Sequence, residues 1–326
     1  MTCTGGQRSS ACRGTRWTGG LDVVRLPVIT GCTAAGKSAL ALAIADRHPV
    51  VIVSADSRQV YRGFDVGTAK PSAAQRDRTP HAAIDVAEPT ERFNASRWAA
   101  VAEAAIHDAL ATGRSPLIVG GTGLYLRALF EPLFEEPQLD PAARHALETE
   151  LRGLSTDELR RRVQRLDPER AHLGRTQLLR AIEVALLSGM PISTWHREAR
   201  RPPRFAARYL VADAGDALHG RIAARLDQML QEGWPEEVRA LMGQIPAEAP
   251  AWNATGYDAV RRMVSGELGA AAARQEILVR TRQFAKRQRT WIRHQLPPAS
   301  TRWLDASHVS RAIDDALGWW TMEELT

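Results

Sequence analysis

The segment Gly31-Cys-Thr-Ala-Ala-Gly-Lys-Ser38 is the strongest indication of the fold. It fits the pattern G-x-x-x-x-G-K-[ST], with an apolar strand-like segment before it (residues 26–30) and helical spacing after it (residues 39–47). In that setting, glycines let backbone N–H groups converge on phosphate oxygens, and the start of the helix adds partial positive charge. We therefore predict a phosphate-binding loop formed by Gly31, Cys32, Thr33, Ala34, Ala35, Gly36, Lys37 and Ser38.

Two residues of this loop carry specific predictions. Lys37 is expected to reach the terminal phosphate, and Ser38 to hold a Mg²⁺ ion. The same pattern occurs in ATP-binding proteins, so the bound compound can be a nucleotide or another diphosphate.

Strand-like and helical segments alternate on both sides of the loop. Apolar segments at 50–54 and 115–119 flank a helical segment at 95–111, and residues 208–213 return as another strand. Because alternating strands and helices form parallel sheets covered on both faces, we predict an α/β fold with a P-loop NTPase-like parallel sheet core.

The composition changes near residue 139. Residues 139–204 are rich in Arg, Glu and Leu, and their spacing predicts only helices, so we expect a helical insertion there. The core then comprises residues 25–138 and 205–326, and residues 1–24 are expected to be a disordered tail. The C-terminal part of the core is predicted to be helical, at 216–232, 235–243, 256–266 and 270–295.

Composition restricts the class of protein. The chain has 326 residues, 44% of them hydrophobic and 25% charged, as in ordinary soluble proteins. The formal net charge of +6 favours an anionic partner. No apolar run is long enough for a membrane span or a secretory signal. Only three cysteines occur, which is typical of a reducing compartment, so we expect a cytoplasmic protein.

A polar segment follows the second predicted strand. It reads Ser54-Ala-Asp-Ser-Arg-Gln-Val-Tyr-Arg-Gly-Phe-Asp-Val-Gly-Thr-Ala-Lys-Pro71. A connecting loop needs turn formers but not so many donors and acceptors, so we expect this segment to hold a polar ligand. Asp56 could be a metal ligand, a general base or the acceptor of an Asx turn.

A third loop of interest is Gly120-Gly-Thr-Gly123, after the strand at 115–119. Parallel sheets bind ligands outside the carboxyl ends of their strands. We therefore expect the phosphate loop, Asp56 and Thr122 to meet in one crevice.

Residues 280–294 predict a basic helix. Arg282, Lys286, Arg289 and Arg293 fall at i, i+4, i+7 and i+11, and this stretch contains no acid. Four aligned cations suit a phosphate backbone, although a solvated helix face is the alternative.

Together these segments resemble the tRNA dimethylallyltransferase family, the isopentenyl transferases that modify the adenosine just 3′ of the anticodon. The resemblance runs from residue 27 to about 295. It is carried by GCTAAGKS (31–38), DSRQVYRGFDVGTAKP (56–71), GGTGLYLRAL (120–129), LLRAIEV (178–184), HGRIAARLDQML (219–230), TGYDAV (255–260) and TRQFAKRQRTW (281–291).

The resemblance implies a reaction and a set of catalytic residues. Dimethylallyl diphosphate would donate its five-carbon group to the exocyclic amine of adenine, with Mg²⁺ at the leaving diphosphate. Asp56, Ser57, Arg58 and Gln59 would grip the target adenosine, with Asp56 as general base. Thr122 would be a second contact on the adenine side, and Arg221 would contact the diphosphate.

The resemblance also implies contacts to the anticodon stem-loop of tRNA, and we expect the protein to act as a monomer. The implied tRNA-binding residues, with Asp56 to Gln59 and Thr122, are Arg144, Thr176, Gln177, Leu178, Leu179, Arg180, Asn253, Gly256, Tyr257, Arg282, Lys286 and Arg289.

Some positions depart from the family pattern. Cys32 stands where Pro is usual, Ala82 where a second His commonly follows His81, and Asn253 where Arg is common. Before Arg180 the family usually has Asn-Asp and an earlier Arg, whereas this chain has Gly174-Arg175-Thr176-Gln177. These departures bear on tRNA choice more than on chemistry.

Two other functions remain open. One is prenyl transfer to a free adenylate, which needs neither the helical insertion nor the basic helix. The other is a P-loop small-molecule kinase, or a non-catalytic nucleotide-binding module; for a kinase, the sequence lacks a clear lid of phosphate-clamping arginines. The insertion and the basic helix favour tRNA as the acceptor.

Overall fold

A computed structural model describes residues 23–131, 137, 139–198 and 203–322. Apart from its last two residues, the predicted tail at 1–24 lies outside this part of the chain. None of the helices described is both long and apolar enough to cross a membrane.

Six parallel strands form one sheet in the order β3-β2-β4-β1-β5-β6, which confirms the predicted α/β fold. The central strand β1 has six consecutive buried residues because helices cover both faces of the sheet. The strands are β1 Val24–Gly31, β2 Val50–Ser54, β3 His81–Ala82, β4 Ser115–Val119, β5 Phe205–Asp213 and β6 Thr301–Asp305.

Thirteen α-helices are present in the described residues. Most connect successive strands or pack beside the sheet, as the 3.6-residue spacing of their apolar positions requires. They are α1 Lys37–Ala45, α2 Ala73–Arg78, α3 Ala95–Ala111, α4 Gly123–Phe130, α5 Pro141–Arg152, α6 Thr156–Leu166, α7 Arg175–Ser188, α8 Ile192–Glu198, α9 Leu218–Gln231, α10 Trp234–Met242, α11 Tyr257–Val264, α12 Ala270–Gln295 and α13 Val309–Thr321.

Strand β6 differs from the prediction, because the sequence indicates only helices after residue 213. It pairs in parallel with β5 along the whole of its five-residue length. Leu304 is buried, whereas Trp303 is 47% exposed at the sheet edge. So short a segment has too few alternating positions for its period to be recognised, and the free edge of β5 supplies the backbone partners.

Residues of the predicted insertion form an apolar cluster of their own. Its buried members come from α5 to α8 and the segment between α6 and α7, and the sheet contributes none of them. Asp167 stabilises this cluster from inside, since its buried carboxylate accepts hydrogen bonds from the hydroxyl and the backbone N–H of Ser193. The cluster members are Leu151, Leu159, Val163, Ala171, Leu178, Ala181, Ile182, Val184 and Ile192.

Candidate active site

The three predicted loops follow the carboxyl ends of neighbouring strands. Strands β2, β4 and β1 are adjacent in the sheet, and they precede Asp56, Thr122 and the phosphate loop respectively. Thr122 Oγ1 accepts a hydrogen bond of 3.1 Å from the backbone N–H of Ser57. The Thr122 N–H donates to the carbonyl of Ala55 at 3.1 Å. The segments after β2 and β4 are therefore bonded directly to each other.

In the phosphate loop, the charged end of Lys37 is folded back onto the backbone. Its ammonium donates to the carbonyl oxygens of Gly31 (3.0 Å) and Cys32 (2.7 Å). Gly36 takes φ 98°, a left-handed conformation that favours glycine, immediately before α1 begins at Lys37. Neutral carbonyls are weaker partners for an ammonium than phosphate oxygens, so this position suits a lysine that turns to an arriving anion.

The electrostatics of Lys37 place Asp56 in the same crevice. Burial and, secondarily, the charge of Arg225 lower the pKa of Lys37 to about 8, while the negative charge of Asp56 opposes this shift. Charges influence each other in this way only at short range. The strand order, the Thr122–Ser57 hydrogen bond and this interaction together place Asp56 near the phosphate loop.

Asp56 itself forms an Asx turn. Its Oδ1 accepts the backbone N–H of Arg58 at 2.8 Å, which fixes the carboxylate at the start of the polar segment. The side chains of Asp56, Ser57 and Arg58 are all partly exposed. The turn and a catalytic role are compatible, because one anchored oxygen leaves the other free to accept a proton.

Two arginines of helix α9 face the phosphate loop, and only the first was expected from the sequence. Arg221 donates to the Ser307 carbonyl at 2.8 Å, and its guanidinium lies close to Gly36. Arg225, one turn later, donates to Thr33 Oγ1 at 3.3 Å. Burial lowers the pKa of Arg225, and the negative charge of Asp56 opposes part of this shift. The i, i+4 spacing with Arg221 is the signal that could have revealed Arg225.

Much of the polar segment after β2 bonds to itself. The side chain of Lys70 is only 1% exposed and contacts Asp65 Oδ1 (2.6 Å), Asp85 Oδ1 (2.5 Å) and the Tyr61 carbonyl (2.5 Å). Thr68 Oγ1 donates to the carbonyl of Phe64 at 2.6 Å. The expectation that these polar groups hold a ligand is therefore wrong for Lys70, whose contacts stabilise the loop.

Gln59 also uses its amide within the loop. Its Oε1 accepts from Ser54 Oγ at 2.9 Å, and its Nε2 donates to the carbonyls of Thr68 (3.3 Å) and Ala69 (3.1 Å). Contact between this amide and an adenosine stays a prediction, and it would require some of these bonds to exchange.

Glu237 of α10 holds the far end of the segment, a role that no sequence pattern predicted. Its carboxylate accepts backbone N–H groups of Asp65 (2.8 Å) and Val66 (2.6 Å), and the hydroxyl of Tyr257 at 2.6 Å. Burial, followed by the charge of Glu237, raises the pKa of Tyr257.

Two predicted tRNA-binding side chains lie in the interior. Tyr257 and Leu178 are both 0% exposed, so the prediction of direct side-chain contact is corrected. Tyr257 packs against Trp234 and Phe64, and Leu178 packs within the apolar cluster of the insertion. Their resemblance to family positions is explained by packing.

The other insertion residues divide into exposed and paired groups. Thr176 and Gln177 are exposed at the start of α7, and Leu179 is partly buried against the apolar cluster. Arg144 and Arg180 both form ion pairs with the nearly buried carboxylate of Glu183, which holds the two guanidiniums side by side.

The TGYDAV segment and α12 complete the predicted RNA-facing surface. Asn253 is exposed, whereas Gly256 is buried with its backbone against the Trp234 indole. On α12, Arg282, Lys286 and Arg293 are exposed. Arg289, the remaining one of the four aligned cations, is ion-paired at 2.8 Å with Asp213 at the end of β5. Residues 280–294 contain no acid, so the carboxylate that pairs with Arg289 comes from the sheet.

Comparisons with known proteins agree with this geometry. The family described as IPP transferase matches residues 59–295, and a second, described as isopentenyl transferase, matches residues 24–86. The chain belongs to the IPP transferase family. It is 43% identical over 300 residues to a tRNA dimethylallyltransferase of an Anaeromyxobacter species, covering 89% of this chain and 99% of that one. A tRNA dimethylallyltransferase of Deinococcus radiodurans is 41% identical over 279 residues, covering 83% and 90%.

Solved structures of IPP transferase family members share the fold. A full-length tRNA isopentenylpyrophosphate transferase from Bacillus halodurans is 29% identical, with a TM-score of 0.64, covering 92% of this chain and 96% of that one. A tRNA delta(2)-isopentenylpyrophosphate transferase from Staphylococcus epidermidis is 28% identical, with a TM-score of 0.63, covering 92% and 99%. A prenyl-transferring enzyme is thus what the fold and the family both indicate.

Proposed function

We propose that this IPP transferase family member transfers a dimethylallyl group from dimethylallyl diphosphate to the N6 amine of the adenosine 3′-adjacent to the anticodon in tRNA. The observation that carries the proposal is that the loop of Asp56 and the phosphate loop follow strands β2 and β1 at one edge of the sheet, where the charge of Asp56 acts on Lys37. A cradle for a diphosphate and an acid for an amine proton thereby lie within one site. The names of the relatives, tRNA dimethylallyltransferase, support the same reaction.

The cationic side of the crevice stabilises the leaving group. As the bond between C1 of the dimethylallyl group and the diphosphate oxygen breaks, negative charge develops on that oxygen. Lys37, Arg221 and Arg225 are the cations directed at the phosphate loop. Fixed charges in a partly buried site stabilise such developing charge more strongly than water does.

The acidic side activates the nucleophile. An adenine amine is a poor nucleophile, because its lone pair is delocalised into the ring. As the N6–C1 bond forms, the Asp56 carboxylate accepts a proton from N6, which leaves the product amine neutral. Thr122, bonded to the Ser57 N–H, fixes the loop that carries Asp56 and presents its hydroxyl beside it.

The described residues fit a Mg²⁺ ion that is held mainly by the substrate. They contain no cluster of three or more His, Cys, Asp or Glu side chains suited to a metal. Mg²⁺ commonly takes only one or two protein ligands together with phosphate oxygens. The exposed hydroxyl of Ser38, at the start of α1, is the ligand available beside the phosphate loop. Bound there, the ion would neutralise charge on the diphosphate.

We infer that the anticodon stem-loop binds across residues 139–204 and helix α12. The exposed Arg282, Lys286 and Arg293 offer sequence-independent attraction to phosphates. A stacked adenosine must be extruded to reach Asp56, at a cost of a few kcal/mol, and contacts to the flanking loop would offset that cost. The protein would act in the cytoplasm as a monomer.

A direct assay tests the proposal. Purified protein, Mg²⁺, labelled dimethylallyl diphosphate and unmodified tRNA are expected to give label on the adenosine next to the anticodon, and a tRNA with guanosine at that position is the matched control. Label on free AMP but not on tRNA would favour the adenylate isopentenyltransferase alternative. Hydrolysis of ATP without prenyl transfer would favour a P-loop kinase.

A further inference from the structure

Gln288, in the middle of helix α12, binds two active-site loops at once. Its Oε1 accepts the backbone N–H of Thr33 in the phosphate loop at 2.8 Å. Its Nε2 donates to the carbonyl of Gly121 at 2.9 Å. Gln288 is only 9% exposed, and both of its hydrogen bonds are partly buried. One side chain thus joins the loop after β1 to the loop after β4.

The Gln288 amide is closely surrounded by backbone atoms of the two loops. A Cβ on Gly121 would collide with Gln288 Nε2 and with the carbonyl oxygen of Gly31, so only glycine allows the amide to enter. Nearby, the Cys32 thiol donates to the Ala285 carbonyl at 3.3 Å, a second bond between the phosphate loop and α12.

The two loops carry opposite halves of the proposed chemistry. Thr33 belongs to the segment that receives the diphosphate, and it also binds Arg225. Gly121 precedes Thr122, which is bonded to the loop of Asp56. Reaction between a donor carbon and an acceptor nitrogen depends steeply on their relative placement, and an error of about 1 Å can cost 10²-fold in rate.

We propose that Gln288 is a positioning residue that sets the spacing between the diphosphate loop and the loop of Thr122 for prenyl transfer. The inference rests on the proposed function. It differs from a role in binding, since Gln288 contacts two backbone groups of this chain and lies beneath the surface on which tRNA would rest. It also explains why a glutamine interrupts the cationic stretch Arg287–Arg289.

The test compares Gln288→Met, of similar volume but unable to make either bond, with Gln275→Met. Gln275 is exposed on the same helix and makes no contact used by the site. Gln288→Met is expected to lower kcat for tRNA prenylation by about 10- to 100-fold, with KM for dimethylallyl diphosphate changed by less than about threefold. In a Thr122→Ala background the same substitution should cost much less, because residues acting through one contact are non-additive.

A second measurement does not depend on catalysis. Hydrogen exchange should rise together in residues 31–36 and 120–123 of Gln288→Met, and in neither for Gln275→Met. Gln288→Glu keeps an acceptor for the Thr33 N–H but loses the donor to the Gly121 carbonyl. It should therefore expose residues 120–123 alone, an asymmetry that general loss of stability would not produce.

The outcomes distinguish failure of the proposed function from failure of the positioning role of Gln288. An inactive wild-type protein with the predicted exchange pattern would remove the proposed function but leave the loop bridge. Wild-type kcat in Gln288→Met, full additivity with Thr122→Ala, or exchange that rises in one loop or neither would overturn the role of Gln288. Should Gln288→Met fail to fold, Gln288→Glu provides the comparisons of kcat and additivity, and its exchange should rise at residues 120–123 alone; a rise in both loops or in neither would then overturn the role of Gln288.

Discussion

The phosphate loop and the polar segment at 56–70 each follow a strand and each contain one lysine, but they use that lysine in opposite ways. Among the described residues, the Lys37 ammonium donates only to the neutral carbonyls of Gly31 and Cys32, and the pKa of Lys37 is lowered to about 8, first by burial. The Lys70 side chain is also shielded from water, but it binds the carboxylates of Asp65 and Asp85. An ammonium without a carboxylate partner is ready for an anionic ligand, whereas one with two is already neutralised.

The polar segment at 56–70 has two parts, one facing the crevice and one bonded within the protein. Residues 56–58 keep partly exposed side chains at the crevice. From Gln59 to Lys70, most polar groups bond within the loop or to Glu237, and so they determine its shape. A high density of polar residues indicates that the loop is held in one conformation. A ligand can bind where the charged side chains of the loop have no partner of opposite charge within the protein.

The largest expected effect is on stability and separates the two lysines. Lys70→Met would remove the cation that Asp65 and Asp85 share, leaving Asp85 with Arg76 alone, and should lower the free energy of unfolding by about 3 kcal/mol through the loss of charged hydrogen bonds. Lys37→Met removes a buried charge that has no carboxylate bond, so it should leave stability unchanged or raise it. Denaturant unfolding of both variants measures the difference. Equal losses would contradict the contrast.

The next effect is on turnover. Asp56→Asn keeps an oxygen for the Arg58 N–H but cannot accept a proton, so kcat should fall by about 10²-fold or more. Affinity for tRNA should stay near that of the wild type, as measured by filter binding. Turnover at the wild-type rate would remove Asp56 as the base and leave it the acceptor of a turn.

The smallest effect is a pH dependence of ligand binding. Since the pKa of Lys37 is about 8, the free protein keeps this proton below pH 8 and loses it above, while a bound anion favours the charged form. Pyrophosphate binding should therefore take up a fraction of a proton near pH 9 and weaken as pH rises, by at most about tenfold per unit.

Calorimetry in two buffers of different ionisation enthalpy measures this uptake. Lys37→Met should abolish it. Arg225→Met should move its onset to higher pH, because the charge of Arg225 lowers the pKa of Lys37. Uptake that persists in Lys37→Met would assign the proton to another group.

Local sequence features predicted a large part of the fold and of the site. The phosphate loop, strands β1, β2, β4 and β5 and the long helix α12 all have periodic or motif patterns contained within short segments. Arg225, Glu237 and Gln288 escaped prediction, because each acts on a segment more than 150 residues away in the chain. Patterns within one short segment cannot identify partners that lie so far away in the chain.

By itself, the sequence determined that strands alternate with helices, that a glycine-rich turn presents backbone N–H groups to phosphate, and that polar residues follow the neighbouring strands. These properties depend on local backbone preference and on apolar periodicity. Only the tertiary structure decided which charges meet: Lys70 with two carboxylates, Arg289 with Asp213, and Lys37 with none bonded to it among the described residues. Pairing of charges depends on distance in space, and distance in space is set by the packing of the whole sheet.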